Sequence, residues 1–117
     1  MKEVAAETAQ NVHAALARGE ITLIDVREPA EFAAERIHGA LLFPLSTFDP
    51  AMLPQDPRKP IVFHCGSGKR SATALARCAA AGVSARGHMD GGLGAWKAAG
   101  LPTVTIDPAT GAVRDRR

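Results

Sequence analysis

The residues of this chain best suited to chemistry lie in one short stretch. Cys65 follows the apolar run Ile61-Val62-Phe63 and His64, and it opens the polar, glycine-rich loop Gly66-Ser67-Gly68-Lys69-Arg70-Ser71. A helical pattern begins at Ser71. Strand, one-turn loop and helix is a geometry in which successive backbone N–H groups converge on a single anion. The same positive field favours thiolate over thiol. The expected chemistry is therefore covalent: a thiolate attacks, a weakly held anion departs, and loop amides cradle the intermediate. Gly66 and Gly68 permit positive φ and close backbone approach. Lys69 and Arg70 add charge, and the Arg70 guanidinium is a fork suited to oxyanions. An inert cysteine would sit inside an apolar run instead of opening such a loop.

Other polar residues are assigned to support. Asp25 and Arg27 are expected to pair with each other or with nearby loops and hold the site rigid, because a carboxylate beside the thiolate would oppose its ionisation. Ser71 belongs to the same supporting set. His64, one residue before Cys65 on a strand, points to the opposite face and is read as a packed strand-end histidine. His13, His38 and His88 are scattered, no Cys-x-x-Cys occurs, and neither a metal nor another cofactor is expected. Cys65 is expected to be an exposed thiol. Cys78 lies seven residues beyond Ser71, roughly 10 Å along a helix axis, whereas a disulfide needs Cα atoms within about 7 Å. It is read as a small apolar core residue, and Trp96 as a core anchor.

These side chains need elements to position them, and the chain alternates between strand-like and helix-like segments. That pattern predicts an α/β fold with a mainly parallel sheet of about five strands and helices on both faces. A short strand is expected near Glu3-Val4, then a helix from Thr8 to Arg18 with Val12, Ala15 and Leu16 at helical spacing, ended by Gly19. Ile21 to Val26 is nearly continuous in apolar residues, as in a strand buried on both faces. Pro29 suits the first position of a helix running to Glu35, with Glu31 in its first turn. Ala40 to Phe43 reads as a strand, and the proline-rich stretch from Phe48 to Pro60 as a surface connection. The helix after the loop carries Ala72, Leu75, Ala76 and Ala79 on one face and stops at Gly82. Val83 to Met89 is a weaker strand; Gly91-Gly92 makes a turn before a last helix, Leu93 to Ala99.

The composition excludes several classes. The chain has 117 residues, 46% apolar and 22% charged, which fits one domain burying roughly 65% of its unfolded surface without disulfide staples. The domain is expected to span 1–117, with its core from about 4 to 104 and a tail from 105 to 117. No secretory leader and no long apolar span are visible, and a free reactive thiol suits a reducing cytoplasm. The net charge is +2 with arginines crowded at the end, but basic residues are not interleaved with aromatics, so neither nucleic acid nor membrane is an expected partner.

Three separated segments then agree with one family. LIDVREPAEFAAERIHGALLFPL (23–45), HCGSGKRS (64–71) and GGLGAWKAAGLP (91–102) stand in the order and spacing of a single-domain rhodanese, which the chain resembles from about Val4 to Val104. The resemblance implies a sulfurtransferase in which Cys65 takes a sulfane sulfur from a small anionic donor such as thiosulfate. The resulting persulfide passes the sulfur to a thiol or cyanide, with the backbone from Gly66 to Arg70 as the cradle. Arg36 stands before Ile37 where many members carry histidine, a departure that touches nothing catalytic. Two other families of activity share parts of this pattern. A non-catalytic, partner-binding rhodanese-like module usually lacks the loop cysteine, which is present here. Cysteine phosphatases, and arsenate reductases of related fold, have a longer loop: the phosphatases place five residues between Cys and Arg-Ser, against four here, Gly66 to Lys69. The shorter ring of amides favours sulfur over tetrahedral phosphate.

Overall fold

The computed structural model describes residues 6–115; the strand expected near Glu3-Val4 lies outside them. In chain order the elements are β1 (Ala6–Glu7), α1 (Ala9–Ala17), β2 (Thr22–Asp25), α2 (Pro29–Ala34), β3 (Glu35–Arg36), β4 (Leu41–Leu42), β5 (Ile61–His64), α3 (Lys69–Ala81), β6 (Gly87–Met89), α4 (Gly92–Ala98), β7 (Val104–Ile106) and β8 (Val113–Asp115). Five strands form one sheet in the order β1-β6-β5-β2-β4, and every neighbouring pair is parallel. The fold is α/β.

Alternation along the two central strands explains the layers. Side chains on a strand point to opposite faces in turn, so Ile24, Val26, Ile61 and Phe63 pack with Ala74 and Cys78 of α3. Leu23, Val62 and Met89 pack on the other face with Val12 and Ala15 of α1 and Trp96 of α4. All four residues of β5 are buried, which is why the first three, Ile61-Val62-Phe63, read as a continuous apolar run. Local signals set the helix ends. The Thr8 hydroxyl accepts from the Asn11 N–H at 3.1 Å, and Pro29 occupies the first turn of α2. Trp96 is buried, and its indole N–H donates to the Pro102 carbonyl at 2.8 Å.

Several expectations need correction. α3 starts at Lys69, two residues before the expected Ser71, so the end of the loop is the first turn of the helix. Its buried stripe is Ser71, Ala74 and Cys78, rotated from the expected Ala72, Leu75, Ala76 and Ala79. Ser71, polar by type, joins the buried stripe because its N–H meets the Cys65 sulfur and its hydroxyl meets His88. The stretch from Phe48 to Pro60 is more than a surface connection: Phe48 and Leu53 are buried in the α3-side core, around 3-10 turns at Leu45–Thr47 and Pro50–Met52. The expected strand from Val83 shrinks to Gly87–Met89. Beyond position 104, β7 and β8 form an antiparallel hairpin that joins β3 in a second, three-stranded sheet. Strands this short show no readable period. Among the described residues no helix is long and apolar enough to cross a membrane.

Candidate active site

β5 ends at the centre of the sheet, with β2 on one side and β6 on the other. Cys65 is the next residue, at the carboxyl edge where open α/β sheets bind ligands. Gly68, with φ of 103°, turns the chain into α3, a conformation that costs glycine nothing. Gly66 is different: its φ is not positive, contrary to expectation. A Cβ there would lie 3.3 Å from an Arg70 guanidinium nitrogen, so it is close approach that favours glycine.

The turn folds around the sulfur. Cys65 Sγ accepts from the Gly68 N–H at 3.1 Å and the Ser71 N–H at 3.3 Å, and the Ser71 hydroxyl lies 3.6 Å away. The Cys65 side chain is 0% exposed, a correction to the exposed thiol that the polar loop suggested: Ser67 and Lys69 face solvent while the sulfur sits beneath them. Burial pushes the thiol pKa up, but the Ser71 hydroxyl and the N–H groups of Ser71, Gly68 and Ser67 outweigh it and hold it below the ordinary thiol value. The amides of a helix N-terminus thus stabilise the negative charge.

α4 clamps the turn from outside. The Leu93 N–H donates to the Cys65 carbonyl at 2.7 Å and the Gly94 N–H to the Gly66 carbonyl at 3.1 Å. Gly92, at φ of 56°, sits so close that a Cβ would collide with the Cys65 carbonyl oxygen. The Gly91-Gly92 turn therefore lets one helix terminus seat against the other's loop.

Arg70 does not stand free. Its guanidinium is bidentate to Glu31, at 2.7 and 3.0 Å, and Glu31 Oε1 also accepts from the Glu28 N–H at 2.9 Å. Hydrogen bonding from Arg70 holds the Glu31 carboxyl down to about 2, and the same partner pushes the Arg70 pKa up. In the sequence Glu31 signalled only a favourable helix first turn; its link to the loop depends on residues 39 positions apart meeting in space.

Asp25, the last residue of β2, pairs with Arg27, and both are buried. The guanidinium meets both carboxylate oxygens at 2.8 to 3.1 Å and donates to the Glu35 carbonyl at 2.6 Å. His64 Nε2 lies 3.4 Å from Asp25 Oδ2, close enough for a charge contact but without hydrogen-bond alignment. Burial would raise the Asp25 carboxyl; His64 and Arg27 beside it hold it at about 2. Cys78 is buried in the α3-side core, and that burial pushes its thiol up. Lys69 is exposed at the start of α3. His88, which no spacing singled out, is buried with Nδ1 2.9 Å from the Ser71 hydroxyl.

A parallel sheet with a cysteine seated in a ring of amides defines a class, and comparison with known proteins agrees. The chain belongs to the rhodanese-like domain family, whose model matches residues 8–99. It is 50% identical over 84 residues to an uncharacterised protein of Synechocystis sp., covering 72% of this chain and 47% of that one; it thus spans about half of that relative's length. A protein of Allochromatium vinosum named sulfurtransferase is 36% identical over 87 residues, covering 73% of this chain and 79% of the relative. The crystal structure of a rhodanese-related protein from Thermoplasma volcanium superposes with a TM-score of 0.73 at 27% identity, covering 85% of this chain and 96% of that one.

Proposed function

We propose that this protein is a sulfurtransferase that works through a persulfide on Cys65. The observation that carries this reading is the sulfur itself: it receives two backbone N–H groups and lies beside a hydroxyl, at a helix N-terminus. That arrangement favours a thiolate as attacking group and again as leaving group. With thiosulfate as donor, the Cys65 thiolate attacks the outer sulfur. The bond between the two sulfurs of the donor breaks, and sulfite leaves with its electron pair. Cyanide, or the thiolate of an acceptor, then takes the terminal sulfur, and Cys65 leaves as thiolate. No redox partner or cofactor is needed, and a reducing cytoplasm is the proposed setting.

The experiment is an intact mass before and after exposure to thiosulfate. One added sulfur, removed by cyanide, is the expected result; an unchanged mass under both conditions would leave a partner-binding module as the better reading. Phosphatase chemistry is disfavoured because four residues, not five, separate Cys65 from Arg70, and the shorter turn makes a tighter ring of amides than a tetrahedral phosphate needs. Aryl-phosphate hydrolysis lost on Cys65→Ser would reverse that preference.

Arg70 and Lys69 should behave differently. An anionic donor competes with Glu31 for the Arg70 fork, so Arg70→Ala should lower kcat/KM for thiosulfate by about ten- to a hundredfold, with Arg70→Lys between. Glu31→Gln, which frees the guanidinium, should raise it. Lys69→Ala should matter mainly at low salt, since an exposed ammonium acts at long range. A silent Arg70→Ala beside a crippling Lys69→Ala at both salts would exchange the two roles.

A further inference from the structure

The Ser71 hydroxyl has one proton and three neighbours able to take it. Cys65 Sγ is 3.6 Å away, the Gly68 carbonyl 3.2 Å, and His88 Nδ1 2.9 Å. The Gly68 carbonyl already accepts from the Ala72 N–H at 3.2 Å. That carbonyl has a second lone pair for the hydroxyl but carries no charge, so whether a charged sulfur wins the proton turns on whether His88 Nδ1 also accepts it. With its proton on Nε2 alone, the imidazole would present a lone pair at the shortest of the three distances and draw the hydroxyl away from the sulfur. With a proton on Nδ1, it donates to Ser71 Oγ and leaves that proton free, and a thiolate is the one charged acceptor within reach.

We propose that His88 is a positioning residue: its Nδ1–H donates to the Ser71 hydroxyl and so directs that hydroxyl's proton at the Cys65 sulfur. This rests on Cys65 being the reacting group, but not on which donor it meets. Cys65, Ser71 and His88 are all buried, so no solvent competes for the bonds. The register supports the arrangement. His88 stands opposite Phe63 on β5, and Phe63 packs on the α3 side of the sheet, the side from which Ser71 reaches down.

The charged surroundings of His88 are sparse. Burial lowers its pKa and the Asp90 charge opposes this, leaving the ring neutral at pH 7. On β1, Glu7 is engaged by Arg86 at 2.8 Å; on β5, His64 lies toward Asp25; on α3, Arg70 is held by Glu31 and Lys69 is exposed. None of these offers Ser71 a competing hydrogen bond among those the hydroxyl makes.

The test is the pH dependence of Cys65 alkylation by iodoacetamide, in a Cys78→Ala background so that one thiol reports. This readout needs no sulfur donor, so it stands whether or not thiosulfate is a substrate. Ser71→Ala should move the alkylation midpoint up by about one pH unit, a tenfold loss of thiolate at a given pH below it. His88→Leu should move it by a similar amount, and His88→Asn, whose amide N–H can take the place of Nδ1–H, should restore most of it. The His88→Leu/Ser71→Ala pair should shift it no further than Ser71→Ala alone, because His88 acts through that hydroxyl. An unchanged midpoint in a folded His88→Leu, or shifts that add in the double variant, would overturn the proposal. If His88→Leu does not fold, an unchanged midpoint in Ser71→Ala overturns it equally.

Discussion

Cys65→Ser should abolish sulfur transfer, a loss on the order of 10^4-fold or more, as when an enzyme's nucleophile is removed. A serine hydroxyl at this position stays protonated at neutral pH and cannot carry the sulfane sulfur as a persulfide. No sulfur should be added to the intact mass. Stability should change little, although the reason is not exposure, since Cys65 is 0% exposed. The smaller hydroxyl still accepts from the Gly68 and Ser71 N–H groups that now bond the sulfur, so no buried donor is orphaned. Cys78→Ala is the comparator. It should keep its activity and lose about 1 kcal/mol of stability from the core. Transfer at near wild-type rate in Cys65→Ser, or dead catalysis at an unchanged melting temperature in Cys78→Ala, would assign the cysteines the other way round.

Asp25→Ala should be the most destabilising single change among those considered, by about 3–5 kcal/mol, because it strands a buried guanidinium. Arg27 is only 4% exposed, and its remaining partner would be the Glu35 carbonyl. Arg27→Met added to Asp25→Ala should recover much of the loss, since removing the orphaned charge removes the penalty. The pH dependence follows from the direction of the Asp25 shift. Its folded pKa, about 2, is depressed, so its contribution is complete above the ordinary carboxylate range near pH 4 and fades as pH falls toward 2. The wild type should therefore lose stability over that window, and Asp25→Ala should lose less. Urea unfolding at several pH values measures both effects. A variant within about 1 kcal/mol of wild type at pH 7 would mean that Arg27 finds another partner.

How far the sequence could be read depended on whether a signal was local. The class of the fold was legible because β2 and β5 announce themselves as short apolar runs and α1 as a 3.6-residue period closed by a glycine. The place of Cys65 between a strand end and a helix start was legible for the same reason: strand, loop and helix are consecutive. The Asp25–Arg27 pair spans two positions and could be anticipated as well. Boundaries failed where no local signal marked them, as at the start of α3, where the loop runs directly into the first helical turn, and in β7 and β8, too short to show alternation.

What only the tertiary structure decided is every contact between segments distant in the chain. Loop polarity suggested an exposed thiol, but exposure is settled by what packs around a residue, and α4 with the first turn of α3 closes over Cys65. Glu31 and Arg70 are 39 residues apart, and Ser71 and His88 are 17 apart. No periodicity or propensity couples such pairs; parallel pairing of β5 with β2 and β6 brings them together. The sequence by itself determined the architecture and singled out the thiol proposed to react. The electrostatic surroundings that set how that thiol would react, Glu31 at the Arg70 fork and His88 behind Ser71, belong to the packed fold, because through-space charge and hydrogen bonding depend on distances that a linear chain does not contain.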